Sequence, residues 1–478
     1  MSGIKKNFAY NSFLTVSNYV INLILFPYCA RVLGVERFGT TNFVQNVVEY
    51  FVFIAMMGIT HIGVREIAKC NNPDERNLCY SSLLVLNLLY SIISLSVFLP
   101  LIFIIERFIS LQTLFILGAF HILFSVFKVE WLFRGLEDFR YITIRNIVIK
   151  VIYIISVFLF VRSSDDYILF YALTVLVTLV NAVINYMYSR NVVKFSIKGI
   201  TPFKYLKSSL SLGFYSILTS MYTTFNVIYL GLTWDDFQVG FYTTAIKLYT
   251  VIVGFYSAFT GVMMPRLSSI LSNHDENEYH HLIEKSLTLL YTVTIPCVLI
   301  LIVLSPEIVT LLAGSEYEPS ILMSRIVIPV LFLVGLGQIL SFQVLIPMGM
   351  DKSTLQASLV GACVGIGFNL WLTTGYGAIG TCITVFLTEL CVTGFYLYIA
   401  LKKRVFEVNI NILFRHLAAG LPYGGICYFF HLIFSGDIIL VPLVSAFVCL
   451  LWFLYSQTKL LRNELVTNAI RNFSHNNI

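Results

Sequence analysis

Asn11, Thr15, Asn18 and Asn22 recur at steps of four, three and four in an otherwise apolar run, so on a helix their side chains share one face. Asn42, Asn46 and Glu49 repeat the pattern in the next run. Two further stripes follow later in the chain: Ser216, Thr219, Thr223 and Asn226, then Thr243, Lys247, Thr250, Gly254, Ser257 and Gly261. Unpaired amides, hydroxyls and amines facing hydrocarbon cost several kcal/mol each, so such stripes belong against protein or water. Two arrangements satisfy them. One is a hydrated cavity lined by Asn18, Asn22, Asn42, Asn46, Thr223, Asn226, Thr243 and Thr250; the other is close interhelical packing through small and polar residues.

Ionisable residues sharpen the choice. Glu49, Lys128, Glu130, Lys150, Lys247 and Glu389 fall well inside apolar runs, with Arg31 and Arg325 near the ends of two others. An Arg, Lys or Asp at mid-helix costs about 2.5 to 3.5 kcal/mol, which calls for a partner, a wet cavity or a function. Lys247 lies in the middle of its polar stripe and ranks first as an anion-binding amine. Glu49, at matching depth, is its expected partner in an empty cavity. Lys128 and Lys150 are also within snorkelling reach of the interface, Glu130 and Arg134 are spaced for an intrahelical ion pair, and Arg31 is placed to anchor at an interface. Glu49, Glu130 and Glu389 are the candidates to carry H⁺ or Na⁺. His61 and His121 read as packing residues.

No motif for soluble chemistry competes. The chain has no Walker loop, dinucleotide glycine fingerprint or zinc-ligand spacing, and its nine cysteines include no C-x-x-C pair. No catalytic residue, metal ligand or cofactor is expected, and without a nucleotide site any uphill movement draws on an ion gradient.

The elements that must hold these residues follow from composition. Of 478 residues, 58% are hydrophobic and only 12% charged, against roughly 25% charged in soluble domains. Apolar runs near 10 to 33, 40 to 62, 78 to 105, 111 to 133, 141 to 161 and 167 to 188 precede a basic segment, and eight more run from 210 to 457. This predicts an all-α polytopic membrane protein of about fourteen transmembrane helices, each about 20 residues long. MSGIKKNFAY opens on two lysines without a cleavage site and reads as the retained start of the first helix.

The segment 189 to 209 carries Arg190, Lys194, Lys198, Lys204 and Lys207 and no acid. It divides the chain into an expected N-lobe at 1 to 188 (helices 1 to 6), a basic cytoplasmic linker at 189 to 209, and a C-lobe at 210 to 404 (helices 7 to 12). Helices 13 and 14 and a cytoplasmic tail fill 405 to 478. The positive-inside rule puts both termini in the cytoplasm. The net charge of +6 then reflects basic loops rather than affinity for nucleic acid. Gly39 to Arg65 and Gly240 to Arg266 are stretches of equal length that each open on a glycine followed by paired threonines and end on an arginine. They suggest two parallel six-helix lobes with pseudo-two-fold symmetry around a central cavity.

Phe26-Pro27-Tyr28-Cys29-Ala30-Arg31-Val32-Leu33-Gly34, Phe38-Gly39, Gly63-Val64-Arg65-Glu66-Ile67-Ala68, Glu130-Trp131-Leu132-Phe133-Arg134-Gly135-Leu136-Glu137 and Gly377-Ala378-Ile379-Gly380 together resemble the Wzx-type polysaccharide flippases. These belong to the superfamily that also holds multidrug and toxin extrusion transporters and the lipid II flippase. The resemblance implies a cationic cavity in the bacterial inner membrane and, as substrate, an undecaprenyl-pyrophosphate-linked oligosaccharide repeat unit for O antigen or capsule. It implies that Arg31, Lys247, Lys128, Lys150 and Arg325 are the candidates to hold the pyrophosphate while the polyprenyl tail stays among membrane lipids. A polysaccharide polymerase and chain-length proteins are the implied partners. Competing readings are an ion-coupled drug antiporter, which wants a negative cavity, a membrane polymerase, which wants a large outer loop, and an assembly protein without transport.

Overall fold

The computed structural model describes residues 2–221, 224–273, 275–406, 410–464 and 466–468. Every regular element among them is helical. Ten helices are long and apolar enough to cross a membrane, and the protein is a multi-pass membrane protein. Two of these, Phe13–Ala68 and Asp351–Lys402, run 56 and 52 residues. Each holds more residues than the roughly 20 that one crossing needs. Each carries a glycine with left-handed backbone in its interior, Gly34 (φ 69°) and Gly377 (φ 57°). Gly34 falls between the first and second expected spans, so this run is two helices joined at a non-helical glycine, a conformation that only glycine adopts cheaply.

Contacts group the chain into two compact units, 1–243 with 365–377, and 244–364 with 378–478. The first unit contains α1 (Ser2–Met56), α2 (Ile59–Ala68), α3 (Pro73–Ile104), α4 (Glu106–Ser110), α5 (Gln112–Ser125), α6 (Glu130–Gly135), α7 (Phe139–Phe160), α8 (Tyr167–Ser189), α9 (Leu206–Ser220), α10 (Thr224–Thr233) and the first turns of α11 (Asp236–Ser272). Within the first unit, close backbone approach joins α9 and α10 to α1. A Cβ on Gly58 would strike the Ser209 carbonyl, one on Gly213 would strike Met57, and one on Gly231 would enter the Phe43 ring. These glycines let α9 and α10 lie directly on α1.

Local sequence sets the boundaries. Asn72 caps α3 by accepting from the Glu75 amide (2.8 Å), with Pro73 at its first position and Asp74 and Glu75 in the first turn. Asp138 caps α7 through Tyr141 N–H (3.2 Å). The motif segments 63–68 and 130–137 turn out to be packing partners. Gly63 lies against the fully buried Trp131 ring, and Gly135 against Ile67 and the Val64 carbonyl. The two glycines that open the internal repeat also meet: a Cβ on Gly39 would strike the Asp236 carbonyl, and one on Gly240 the Val35 carbonyl. Beside them the buried Asp236 carboxylate accepts from Thr40 Oγ1 (2.7 Å) and pairs with Arg107.

The second unit contains the rest of α11, α12 (Glu276–Val303), α13 (Ser305–Leu312), α14 (Ser320–Val327), α15 (Val330–Gln338), most of α16 (Asp351–Phe368), α17 (Thr374–Lys402) beyond Gly377, α18 (Ile410–Ile433) and α19 (Leu440–Tyr455). Its core gathers Tyr256, Leu267, Tyr279, Leu290, Leu331 and Leu340. Tyr256 Oη donates to the Leu290 carbonyl (3.3 Å) and Tyr279 Oη to the Gln343 carbonyl (3.1 Å). The α18–α19 hairpin closes through Trp452 Nε1, which donates to the Ala419 carbonyl (3.0 Å).

Candidate functional site

In the first unit the span from Gln112 to Gly135 is interrupted. After α5 the chain makes a 3₁₀ turn over Val126–Lys128, and Val129 takes left-handed backbone (φ 35°). For a β-branched residue that conformation costs about 1 to 3 kcal/mol, so the surroundings must enforce it. They do: the buried Asn185 amide donates to the Lys128 carbonyl, and the buried Asn87 amide to the Val126 carbonyl (3.4 Å). The break sets Glu130 as the first residue of α6, where the helix N-terminus favours a carboxylate.

Glu130 does pair with Arg134, at 3.8 Å, but its shorter partner is Arg145, at 2.5 Å from α7. Arg145 is only 6% exposed. Its guanidinium also donates to Asn185 Oδ1 and to Asn146 Oδ1 (3.1 Å), and lies 5.4 Å from the centre of the Tyr141 ring. Tyr141 stacks on Tyr188 with centroids 3.8 Å apart and donates its hydroxyl to Asn185 (3.0 Å). One guanidinium thus binds a carboxylate and two amide oxygens while its Nε stays buried without a hydrogen-bond partner.

Sequence reasoning missed Arg145. It falls inside the fifth apolar run, which was the available signal, but its partners lie 15 and 40 positions away. Lys150, five residues on, does not snorkel to water: its Nζ donates to Asn18 Oδ1 on α1 (2.5 Å) and it interacts electrostatically with Glu130. Lys128 interacts in the same way with Glu49 and with His121. His121 Nδ1 lies 3.5 Å from Thr178 Oγ1. Lys128, Arg145 and Lys150 thus interact with Glu49 and Glu130 within the first unit.

The other expected residues divide. Asn42 and Asn46 donate back to the Phe38 and Asn42 carbonyls of their own helix (2.7 and 2.8 Å), so this stripe is largely self-satisfied. Asn226 is buried and accepts from Asn369 (2.7 Å), whose Oδ1 accepts from Thr373 (2.8 Å). That neutral cluster ties residues 365–377 to α10. Asn22 and Arg31 are exposed on α1. Thr243 is buried and Thr223 lies outside the described residues, as do the side chains of Lys5, Lys6 and Asn11. Arg325 sits at the exposed end of α14, donating to Ser305 Oγ (2.8 Å) and the Ile302 carbonyl (3.2 Å), an anchoring geometry.

In the second unit Lys247 is half-buried on α11, and its carbonyl accepts from Thr250 Oγ1 (3.1 Å). Glu49, its expected partner, has Lys128 within its own unit. Glu389 interacts electrostatically with Tyr249, two positions beyond Lys247. A groove of about 680 Å³ runs along α12 and α18, lined by Ile295, Val298, Phe332, Phe386, Phe414 and Leu417 among others, and is almost wholly apolar.

A family model described as polysaccharide biosynthesis protein matches residues 4–271. A Shigella dysenteriae protein named as an O-antigen transporter is 28% identical over 402 residues, covering 82% of this chain and 99% of its own length. An Escherichia coli K12 protein of the same name is 24% identical over 400 residues, covering 82% and 95%. Among solved structures, the lipid II flippase MurJ in an inward closed conformation superposes with a TM-score of 0.78 at 15% identity, covering 96% of this chain and 99% of that one. A multidrug transporter of the MATE family in an inward-facing conformation gives 0.59 at 16% identity, over 82% and 98%. The fold is that of these transporters, and the chain belongs to the polysaccharide biosynthesis protein family.

Proposed function

We propose that this protein is a flippase that carries undecaprenyl-pyrophosphate-linked oligosaccharide repeat units from the cytoplasmic to the outer leaflet of the bacterial inner membrane, for O antigen, capsule or exopolysaccharide. The observation that carries the reading is Arg145, a buried guanidinium held by one carboxylate and two amide oxygens, on the same helix as Lys150. A guanidinium's planar fork matches phosphate oxygens two at a time, and lysines add point charges. A diphosphate, with at least two negative charges, competes with Glu130 for Arg145 and with Glu49 for Lys128. The relatives' names and the family description agree with such a substrate.

The apolar groove on α12 and α18 suits a polyprenyl chain, which needs dispersion contacts and no hydrogen bonds. Headgroup and tail then have separate sites on one molecule. The larger scheme is alternating access by two six-helix lobes in about fourteen crossings, with termini in the cytoplasm and Lys247 as a further candidate phosphate-binding amine. Glu49, Glu130 or Glu389 exchanges H⁺ or Na⁺ in this scheme.

The test is a gene deletion complemented with variants. Deletion is expected to accumulate lipid-linked repeat units on the cytoplasmic leaflet and abolish surface polysaccharide, and wild type but not Arg145→Ala restores it. Normal surface glycan in the deletion strain, with a change only in drug sensitivity, would replace this reading with drug export.

A further inference from the structure

A second pocket lies in the second unit, away from every residue assigned above. It encloses about 300 Å³ where α12 and α18 begin and the chain leaves α19, lined by His281, Glu284, Lys285, Arg415, Arg462 and Glu464 among others. That is the lower end of the range for ligand sites, about 300 to 1,000 Å³, and suits a small headgroup.

Its floor is rigid. His416 is buried, with Nδ1 bonded to the Ile412 carbonyl (2.8 Å) and Nε2 near Thr292 Oγ1 (3.3 Å). The buried Asn463 amide donates to Thr292 Oγ1 (2.9 Å) and Gln457 Oε1 (3.0 Å). These bonds fold the segment after α19 back over the pocket. Leu461 N–H donates to the Ser456 carbonyl and Asn463 N–H to the Gln457 carbonyl (2.8 Å each), which holds Arg462 between them in left-handed backbone (φ 51°). A non-glycine residue kept there by its neighbours is over-determined.

The charges are arranged for a guest. Lys285, Arg415 and Arg462 line the pocket, yet among the described residues none forms an ion pair with Glu284, Glu464 or any other carboxylate. Arg415 makes a single long bond, to the Leu460 carbonyl (3.4 Å). The apolar span of α19 ends at Leu460, so the pocket opens at the depth where lipid phosphates lie. Basic pockets between membrane helices at that depth take phosphorylated headgroups.

We propose that this pocket binds a phosphate-bearing anion, gripped by Lys285, Arg415 and Arg462, whether the phosphate belongs to an anionic phospholipid or is free in solution. Glu284 and Glu464 exclude larger polyanions and leave room for one phosphate. Binding fastens the segment beyond α19 to α12 and α18.

The full-length protein in maltoside micelles free of phosphate is the starting material, and its thermal midpoint is the readout. Sodium phosphate is titrated against sodium chloride of equal ionic strength, and phosphatidylglycerol against diacylglycerol, which has chains but no phosphate. A saturable rise with phosphate assigns a soluble anion, and a rise with phosphatidylglycerol alone assigns a lipid head. Either supports the proposal if Arg415→Gln with Arg462→Gln weakens the apparent affinity about tenfold or more while Arg415→Lys with Arg462→Lys retains most of it. Lys285→Gln, a milder change, guards against misfolding of the double variant and is expected to weaken binding too. A wild-type protein that responds no more than to the controls, or glutamine variants that respond like wild type, would overturn it.

Discussion

The two compact units join their helices with different balances of charged and neutral groups, although each has both: in the second the buried Glu307 pairs with His431. In the first, several charged groups are held across helices, Arg145 with Glu130 and Asn185, Lys150 with Asn18, and Arg107 with Asp236, beside neutral bonds such as Tyr90 to Ser209. In the second, helices are joined mainly by neutral bonds, such as Tyr256 to Thr294 (2.5 Å), Tyr279 to Gln343, and the His416, Thr292, Gln457 and Asn463 cluster. Neutral bonds fix helices without the desolvation cost of an ion, and a hydrophobic replacement for a buried ion pair is often no less stable. The first unit therefore bears a cost that packing alone does not require. Recognition of an anionic headgroup supplies a reason for it, while the second unit offers the apolar groove.

The largest expected effect tests that contrast at its centre. Arg145→Ala leaves Glu130 without its nearest cation and Asn185 Oδ1 with the Tyr141 hydroxyl as its remaining donor. Removing one partner of a fully buried pair costs about 3 to 5 kcal/mol, and less where one partner is part exposed, as Glu130 is. Protein level, thermal midpoint and surface polysaccharide are all expected to fall. Glu130→Gln with Arg145→Gln removes the stranded charge and is expected to recover most of the stability but none of the transport. A double variant that exports polysaccharide normally would make the charged cluster a structural device like the neutral ones, and the contrast would carry no functional meaning.

Next in size is Gly39→Ala. The added Cβ meets the Asp236 carbonyl, a backbone atom that cannot swing aside, so the contact between α1 and α11 must open. Overpacking of this kind costs about 1 to 3 kcal/mol, read as a lower thermal midpoint in detergent. A variant as stable as wild type would show that the two backbones part without cost.

How far the sequence foretold all this depends on the range of the interaction. Apolar runs and the Glu130–Arg134 spacing are local, and the structure carries them; the caps at Asn72 and Asp138 are local too but were not read from the sequence. The stripe of Asn42 and Asn46 is also local, but a helical asparagine bonds its own backbone four residues back as readily as it faces water, so spacing alone left two readings. The gap between the first two apolar runs is local as well, and the backbone leaves the helical region there, at Gly34. Arg145 and the approach of Gly39 to Asp236 rest on contacts far apart in the chain, which no periodicity reports. The motif segments 63–68 and 130–137 lie between these cases: legible as a family mark, and explained only when Gly63 meets Trp131.

A smaller effect tests the neutral side of the comparison. Thr292→Val keeps the shape but removes the hydroxyl that meets His416 and Asn463. Leaving such partners unsatisfied costs about 1 to 2 kcal/mol, so the midpoint drops while surface polysaccharide in cells at normal protein level stays at wild-type amount. Loss of export at unchanged protein level would move this neutral cluster into the transport machinery.

The smallest effect belongs to a charge outside the membrane. Asp437, in the exposed connection between α18 and α19, accepts from the Leu440 and Ile439 amides (2.8 and 2.9 Å), which together hold its carboxyl below the ordinary value of 3.8. A folded-state value depressed in this way stabilises the folded protein when the carboxylate is ionised. The contribution is complete above the ordinary value and is lost as pH falls through the lowered one. Asp437→Asn is therefore expected to lower the midpoint slightly near neutral pH, by less than Thr292→Val, and the gap between variant and wild type should close in strong acid. A gap that persists there would mean that the side chain acts through shape rather than charge. Water screens this carboxylate on all sides, whereas Glu130 is part buried against the buried Arg145 guanidinium, so the same chemical group is expected to matter little in one place and more in the other.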